Sequence, residues 1–172
     1  MTFEGAKSAE IQRVKKDYGI VDGDCMIIRE IKHRKRDYLP LLLLADEQES
    51  MIDCYLDRGQ LYVLEDPDLR AVCVLTDEGD DILEIKNLAV DTPFQGRGYG
   101  KAMIEFVVEK YRQTYSILQV GTGESTLTLP FYQKCGFSPH HRLKNFFIEN
   151  YNQPIIEAGQ LLRDMIYLRR DI

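Results

Sequence analysis

The sequence has no long hydrophobic run, no internal repeat, no CxxC pair and no excess of positive charge, and each absence excludes something. Its most apolar stretch, Leu39 to Ala45, is too short to cross a bilayer and runs directly into Asp46 and Glu47. No signal peptide is visible, so a cytoplasmic protein without a membrane partner is expected. The cysteines, Cys25, Cys54, Cys73 and Cys135, lack metal-ligand spacing. Each falls in a predicted strand or helix, so buried free thiols and no bound metal are expected. Lys and Arg number 22 against 28 Asp and Glu, a net charge of −6. That balance argues against a nucleic-acid partner, which favours a basic face.

The chain has 172 residues, 44% of them apolar and 29% charged, enough for one domain with a substantial core. Its most informative stretch runs from Ala89 to Lys101, AVDTPFQGRGYGK. A strand predicted over Ile82 to Val90 meets a break at Asp91-Thr92-Pro93. Glycines then stand at 96, 98 and 100, and a helical pattern begins at once. A loop without Cβ atoms lets backbone N–H groups close around a ligand. The helix N-terminus adds its free N–H groups and positive dipole end, which suits a phosphate or pyrophosphate. The spacing fits neither GxxxxGK[S/T] nor the dinucleotide fingerprint GxGxxG.

What does fit is Q-x-x-G-x-G, formed by Gln95, Gly98 and Gly100 just after Asn87-Leu88-Ala89-Val90. About forty residues later comes F-Y-x-K-x-G-F, formed by Phe131, Tyr132, Lys134, Gly136 and Phe137. In this order and separation the two motifs resemble those of the GNAT N-acetyltransferase superfamily, in particular small bacterial members of unsettled substrate. The resemblance covers roughly residue 25 to the C-terminus. It implies an α/β (α+β) GNAT fold: a mixed, mainly antiparallel sheet splayed at one parallel junction and flanked by helices. It also implies acetyl-CoA as co-substrate, contacted by Leu88, Ala89, Val90, Gln95, Gly96, Arg97, Gly98, Tyr99, Gly100 and Lys101.

Within that frame, residues 1–24 form an N-terminal extension and 25–172 a single domain. A short helix over Ala9 to Tyr18 is predicted in the extension, which could pack on the domain, reach a neighbouring subunit in a homodimer, or be partly disordered. Further expectations are a strand over Cys25 to Lys32 and a helix over Leu41 to Leu56, interrupted near Ala45-Asp46. Strands over Leu61 to Glu65, Leu69 to Thr76 and Ile82 to Val90 should be antiparallel, since their connections are too short for crossovers. A helix from Gly98 to about Thr114 leads to a strand over Ser116 to Val120. Two last strands are expected near Phe146 to Glu149 and over Arg163 to Arg169.

Moving an acetyl group from a thioester to an amine has three requirements. The ammonium, with a pKa of ~10.4, must lose a proton before it can attack. The carbonyl oxygen needs a hydrogen-bond donor as it becomes anionic, and the leaving thiolate needs a proton. The resemblance places Glu84 as general base, the Val90 N–H at the carbonyl oxygen, and Tyr132 as the acid facing sulfur. Asp91, Glu124, His140 and His141 are weaker candidates for proton transfer. Many superfamily members carry an asparagine after the strand that follows the glycine loop; here Thr122 to Thr126 contains none, and Ser125 or Thr126 could make that contact. The expected reaction is direct attack by a primary amine, in a small cationic molecule, within a ternary complex. A protein lysine or N-terminal amine is the alternative acceptor, and a CoA-binding module without catalysis the alternative class. Asp46, Glu47 and Glu49 could meet a cationic acceptor.

Overall fold

The computed structural model describes residues 26–172; the helix expected over Ala9 to Tyr18, and Cys25, lie outside them. The order begins with strand β1 (Ile27–Ile31), a 3-10 turn and helices α1 (Leu39–Leu42) and α2 (Glu49–Leu56). Strands β2 (Gln60–Glu65), β3 (Leu69–Asp77) and β4 (Ile82–Val90) follow, then helix α3 (Tyr99–Tyr111), strand β5 (Ile117–Gly123) and helix α4 (Thr128–Lys134). The chain ends with β6 (Ser138–Leu143), α5 (Phe146–Asn150), the short hairpin β7 (Ile156–Glu157) and β8 (Gln160–Leu161), and β9 (Met165–Asp171). Among the described residues no helix is long and apolar enough to cross a membrane.

Seven strands form one sheet in the order β1-β2-β3-β4-β5-β9-β6. Every pairing in it is antiparallel except β4 with β5; the short β2–β3 and β3–β4 connections require the antiparallel form there, and the α3 crossover permits the parallel one. Helices cover both faces, so the central strands read as continuous apolar runs rather than alternating ones. Residues Ala71 to Leu75 of β3 are fully buried for this reason. One face packs Tyr62, Cys73 and Ile85 against Met103, Ile104 and Val107 of α3. The other packs Val63, Val72 and Val74 against Leu42, Ile52 and Leu56 of α1 and α2. Burying one such aliphatic side chain contributes roughly 1.5–3 kcal/mol, and the two layers lock the sheet from both sides.

The junction that shapes the site is β4 with β5. It pairs only from Ile82 with Ile117 to Ile85 with Val120. On the other side of β4 the register with β3 slips between Leu75–Ile85 and Val74–Asn87, leaving Lys86 as the extra residue of a β-bulge. A bulge bends its strand and increases local twist. Beyond it, Asn87 to Val90 diverge from β5, while β5 continues to Gly123 against β9 alone.

Three expectations are corrected. Phe146 to Glu149, read as a strand, is the start of α5, entered through Asn145 in the left-handed region at φ 58°. The strand lies earlier, at Ser138–Leu143, where Pro139 is tolerated because β6 is the outer strand and pairs only with β9. The last strand begins two residues later than expected, at Met165. Of the described cysteines, Cys73 and Cys135 are buried but Cys54 is exposed, since it lies on the side of α2 turned away from the sheet. The interruption expected near Asp46 is present and spans the residues between α1 and α2.

Candidate active site

A cavity of about 950 Å³ runs from the N-terminus of α3, through the gap between β4 and β5, to the segment between α1 and α2. Leu88, Ala89, Val90, Gln95, Gly96, Gly98, Tyr99, Gly100 and Lys101 line it, together with Glu84 and Tyr132. The sequence had placed these residues in one site, and the fold brings them to one cavity.

At its α3 end, Gly96 and Gly98 have φ of 76° and 93°, and a Cβ built on either meets no atom within 4 Å. The space beside these backbones is therefore open to a ligand. Gly98 caps α3 without any side-chain bond to the helix, so the first N–H groups of α3 keep their donor capacity. Lys101 and Lys134 bring positive charge to the same end. Lys134 lies in the second motif but was not assigned a site role from sequence. Arg97, expected to contact the cofactor, is exposed, lies outside the cavity lining, and sits over the Phe94 ring at 5.2 Å.

In the gap, the Asp91 N–H donates to the Arg70 carbonyl at 2.8 Å, and Ala71 is opposite Val90. Antiparallel alternation then turns the N–H groups of Leu88 and Val90 away from β3, toward the side that β5 has left. The Val90 carbonyl is held by Gln95 Nε2 at 3.1 Å, which ties the glycine loop to the end of β4. Tyr132 stands across the gap with its ring edge-on to Phe131 and Phe137. Burial raises its pKa well above the usual phenol value, so it stays protonated at neutral pH.

Ser125 and Thr126 lie elsewhere. They line a separate groove with Glu124 and Arg163, and Ser125 Oγ accepts the Leu127 N–H at 3.1 Å just before α4. The hydroxyl residues facing the main cavity from this stretch are Thr122 and Thr128, bonded to each other at 3.0 Å. Strand alternation favoured Thr122 once β5 was extended to Gly123, three residues past its expected end.

Glu84 is 5% exposed and both its oxygens are engaged. Lys86 Nζ lies 2.7 Å from Oε1, and Gln119 Nε2 donates to Oε2 at 2.8 Å. Arg169 in turn donates to Gln119 Oε1. Ordinary strand alternation sets Lys86 on the same side as Glu84 two residues earlier, and the bulge then turns Asn87 toward α1 and α2. Of the weaker proton-transfer candidates, His140 and His141 are exposed on β6, with His141 stacked on Tyr167 at 4.5 Å. Asp91 and Glu124 do not line the cavity, and Glu124 pairs with Arg142. Among the described residues no group of His, Cys, Asp and Glu could hold a metal ion.

The far end of the cavity contains a cluster that sequence reading only touched. Asp46 accepts hydrogen bonds from Tyr151 at 3.0 Å and Tyr55 at 3.2 Å. Tyr55 Oη also accepts from Asn87 Nδ2 at 3.0 Å. Burial raises the pKa of Asp46, partly offset by the tyrosine bonds. Asp46, Tyr55, Asn87 and Tyr151 all line the cavity.

A family model described as an acetyltransferase (GNAT) domain matches residues 57–139. A Bacillus subtilis protein described as the uncharacterized N-acetyltransferase YvbK is 37% identical over 135 residues, covering 77% of this chain and 87% of that protein. Among solved structures, a GNAT family acetyltransferase from Elizabethkingia anophelis with acetyl-CoA bound is 36% identical with a TM-score of 0.82. The match covers 87% of this chain and all of that one. A Bacillus subtilis acetyltransferase in complex with CoA is 34% identical with a TM-score of 0.77, over 84% of this chain and 97% of that one.

Proposed function

The chain belongs to the GNAT acetyltransferase family, and we propose that it transfers an acetyl group from acetyl-CoA to the primary amine of a small cationic molecule. The observation that carries this reading is the gap between β4 and β5, open from Lys86 onward and continuous with the N-terminus of α3. The two similar structures that hold acetyl-CoA or CoA support the same ligand here. Bound there, acetyl-CoA supplies an activated acyl thioester.

The chain's own residues then divide the work. Gly96, Gly98 and the first turn of α3 receive the pyrophosphate through backbone N–H groups, with Lys101 and Lys134 adding charge. Leu88 and Val90 offer N–H groups along the gap, and that of Val90 donates to the thioester carbonyl oxygen. Such a donor contributes about 2.7–4 kcal/mol in well-measured acyl-transfer sites. Tyr132 gives its proton to the departing sulfur. With the thioester held in place, the amine attacks directly, and no nucleophilic side chain of the protein intervenes.

The acceptor end favours a small molecule over a protein tail. Helix α5 and the segment through β7 wall the cavity with the bulky side chains of Phe146, Phe147, Tyr151 and Ile155. The test is a thiol-release assay with acetyl-CoA against a panel of amines, alongside calorimetry for acetyl-CoA. Micromolar acetyl-CoA binding with turnover of at least one small amine is the expected result. Acetyl-CoA binding with turnover only of lysine-bearing peptides would replace the acceptor class, and no binding would sink the proposal.

A further inference from the structure

Asp46 occupies a position that the acetyl-transfer reading leaves without a task. Its two oxygens accept from Tyr55 and Tyr151. No Lys, Arg or His nitrogen lies within ion-pair distance of it among the described residues, whereas Glu84 at the same cavity already holds Lys86. Beside it, Asn87 is 3% exposed, and its amide is oriented unambiguously. Nδ2 donates to the Leu42 carbonyl at 2.9 Å and to Tyr55 Oη at 3.0 Å. That leaves Asn87 Oδ1 as a buried acceptor with no partner. An unpaired buried acceptor costs about 1–3 kcal/mol, a cost removed when a ligand supplies the donor. An anionic carboxylate and an orphaned carbonyl oxygen, joined through Tyr55, form a site for a group with several N–H donors and one positive charge. An alkylammonium has that composition.

We propose that Asp46, with Asn87, binds the ammonium of the acceptor and that Asp46, rather than Glu84, takes its proton. The proposal rests on the acetyl-transfer reading above and names the acceptor class: a primary amine carried on an apolar, aromatic body. The cavity's apolar lining includes Phe146, Phe147, Tyr151 and Tyr167 together with Leu44 and Met51. They offer ring faces and aliphatic surface to the rest of the molecule. A polyamine would need further acceptors for its other charges. Of the other carboxylates lining the cavity, Glu84 is already paired, Glu47 is exposed, and Glu157 on β7 is half-buried and lies toward Tyr132.

The proton balance is complete. The bound ammonium gives one proton to the Asp46 carboxylate and becomes a neutral amine. Its lone pair forms the new C–N bond, the C–S bond breaks, and the bonding pair leaves with sulfur. The second nitrogen proton leaves as the amide forms and restores Tyr132, which has given its own proton to the thiolate. Asp46 returns its proton to solvent. Tyr55 and Tyr151 keep the carboxylate oriented; burial raises both phenol pKa values, so neither loses its proton to Asp46.

The test uses the full chain, acetyl-CoA and two matched acceptors: 2-phenylethylamine and its 2,2-difluoro analogue, whose amine is far less basic and needs less help to shed a proton. Asp46→Asn should lower kcat/KM for 2-phenylethylamine by ~10²-fold or more, the usual scale of general-base loss, with acetyl-CoA affinity unchanged by calorimetry. For the difluoro amine the loss should shrink at least about tenfold, because less of the proton transfer remains to be done. Wild-type kcat/KM in the variant, or an equal loss with both amines, would overturn the role of Asp46. Spermidine turned over better than 2-phenylethylamine, or acetyl-CoA bound with neither aromatic amine turned over, would overturn the acceptor class. A wild-type protein that does not bind acetyl-CoA would instead fail the acetyl-transfer reading itself. Should Asp46→Asn not fold, Tyr151→Phe carries the test, since it keeps the charge and removes one donor. A severalfold loss of kcat/KM for 2-phenylethylamine is expected there, and no change would overturn the cluster's part.

Discussion

Tyr151 donates its phenolic proton to Asp46 across 3.0 Å, joining two residues 105 positions apart in the chain. The bond ties the segment after α5 to the break between α1 and α2, and it closes the acceptor end of the cavity. It also sets a half-buried carboxylate where no cation of the described chain neutralises it.

That arrangement has a consequence for stability. The pKa of Asp46 is raised in the folded state, chiefly by burial. The folded protein therefore binds the proton more tightly than the unfolded chain does. The favourable contribution is present in full below the unfolded pKa and is lost as pH rises through the folded one, so at pH 7 the ionised group is a net cost. Asp46→Asn should accordingly raise Tm at pH 7 while lowering activity. At the roughly 1 kcal/mol scale of a single substitution, the rise is about 2–4 °C for a chain of this size. The gain should fade as pH drops through the carboxylate range, measured by thermal unfolding from pH 7 to pH 3.5. A variant less stable at pH 7 would show that the tyrosine bonds outweigh burial.

Gly98 has φ 93° and open space where a Cβ would stand, so its replacement meets backbone strain and the ligand rather than a protein neighbour. Gly98→Val should weaken acetyl-CoA binding by at least ~100-fold, the loss of one or two charge-assisted hydrogen bonds at about 1.5–3 kcal/mol each. Arg97→Ala, at an exposed residue outside the cavity lining, should cost less than about tenfold. Calorimetry on protein with an intact unfolding transition gives both numbers, and equal effects would mean that charge, not backbone approach, holds the ligand.

Tyr132→Phe removes a proton donor and little packing, since the ring contacts with Phe131 and Phe137 survive. We expect kcat to fall toward the low end of the ~10²–10⁴-fold range for general acids, because a thiolate with an aqueous pKa of ~8.5 leaves tolerably well unaided. Acetyl-CoA affinity should not change. Wild-type turnover in this variant would remove the tyrosine from the mechanism.

The Glu84–Lys86 pair should behave as structure. Lys86→Met leaves a nearly buried carboxylate without its cation, which costs about 3–5 kcal/mol in fully buried pairs. The lower end is expected here because Lys86 is 21% exposed. Adding Glu84→Gln should recover most of that loss in chemical denaturation. If Glu84 were the base, the rate defect of Glu84→Gln alone would shrink as pH approached the amine's own pKa. We expect that defect to be independent of pH.

Cys54 lines the cavity and is exposed, while burial raises the thiol pKa of both Cys73 and Cys135. In a Cys25→Ser background a maleimide should therefore label Cys54 alone in the folded protein. Mass spectrometry of digested adducts reads the site, and rapid labelling of Cys73 would mean that the core opens on the same timescale.

Much of the cofactor side was legible in sequence because its chemistry is local. A glycine run between a strand and a helix suits a backbone cradle within six residues, and the resemblance carried by F-Y-x-K-x-G-F is what pointed to Tyr132, which lines the same cavity. Short connections likewise dictated the antiparallel pairing of β2, β3 and β4, and the helical crossover between Val90 and Ile117 the one parallel junction. The segment from Phe146 to Asn150 was misread because five residues rich in aromatics carry too little periodicity to separate strand from helix. There the left-handed Asn145 and the packing of Phe147 chose the helix.

The acceptor side was decided by tertiary structure. In the sequence, Asp46 is one charge among several in a polar break, and Asn87 is a strand residue before a better-known motif. Only the closure of the sheet brings α1, α2, β4 and the segment after α5 together, so that Tyr55, Asn87 and Tyr151 converge on one carboxylate. The side on which Asn87 stands depends in the same way on a bulge one residue long. The sequence alone determined where backbone conformation and short spacing carry the chemistry. The fold decided which distant side chains share a low-dielectric space, since burial and partnership, not residue type, set what a carboxylate can do.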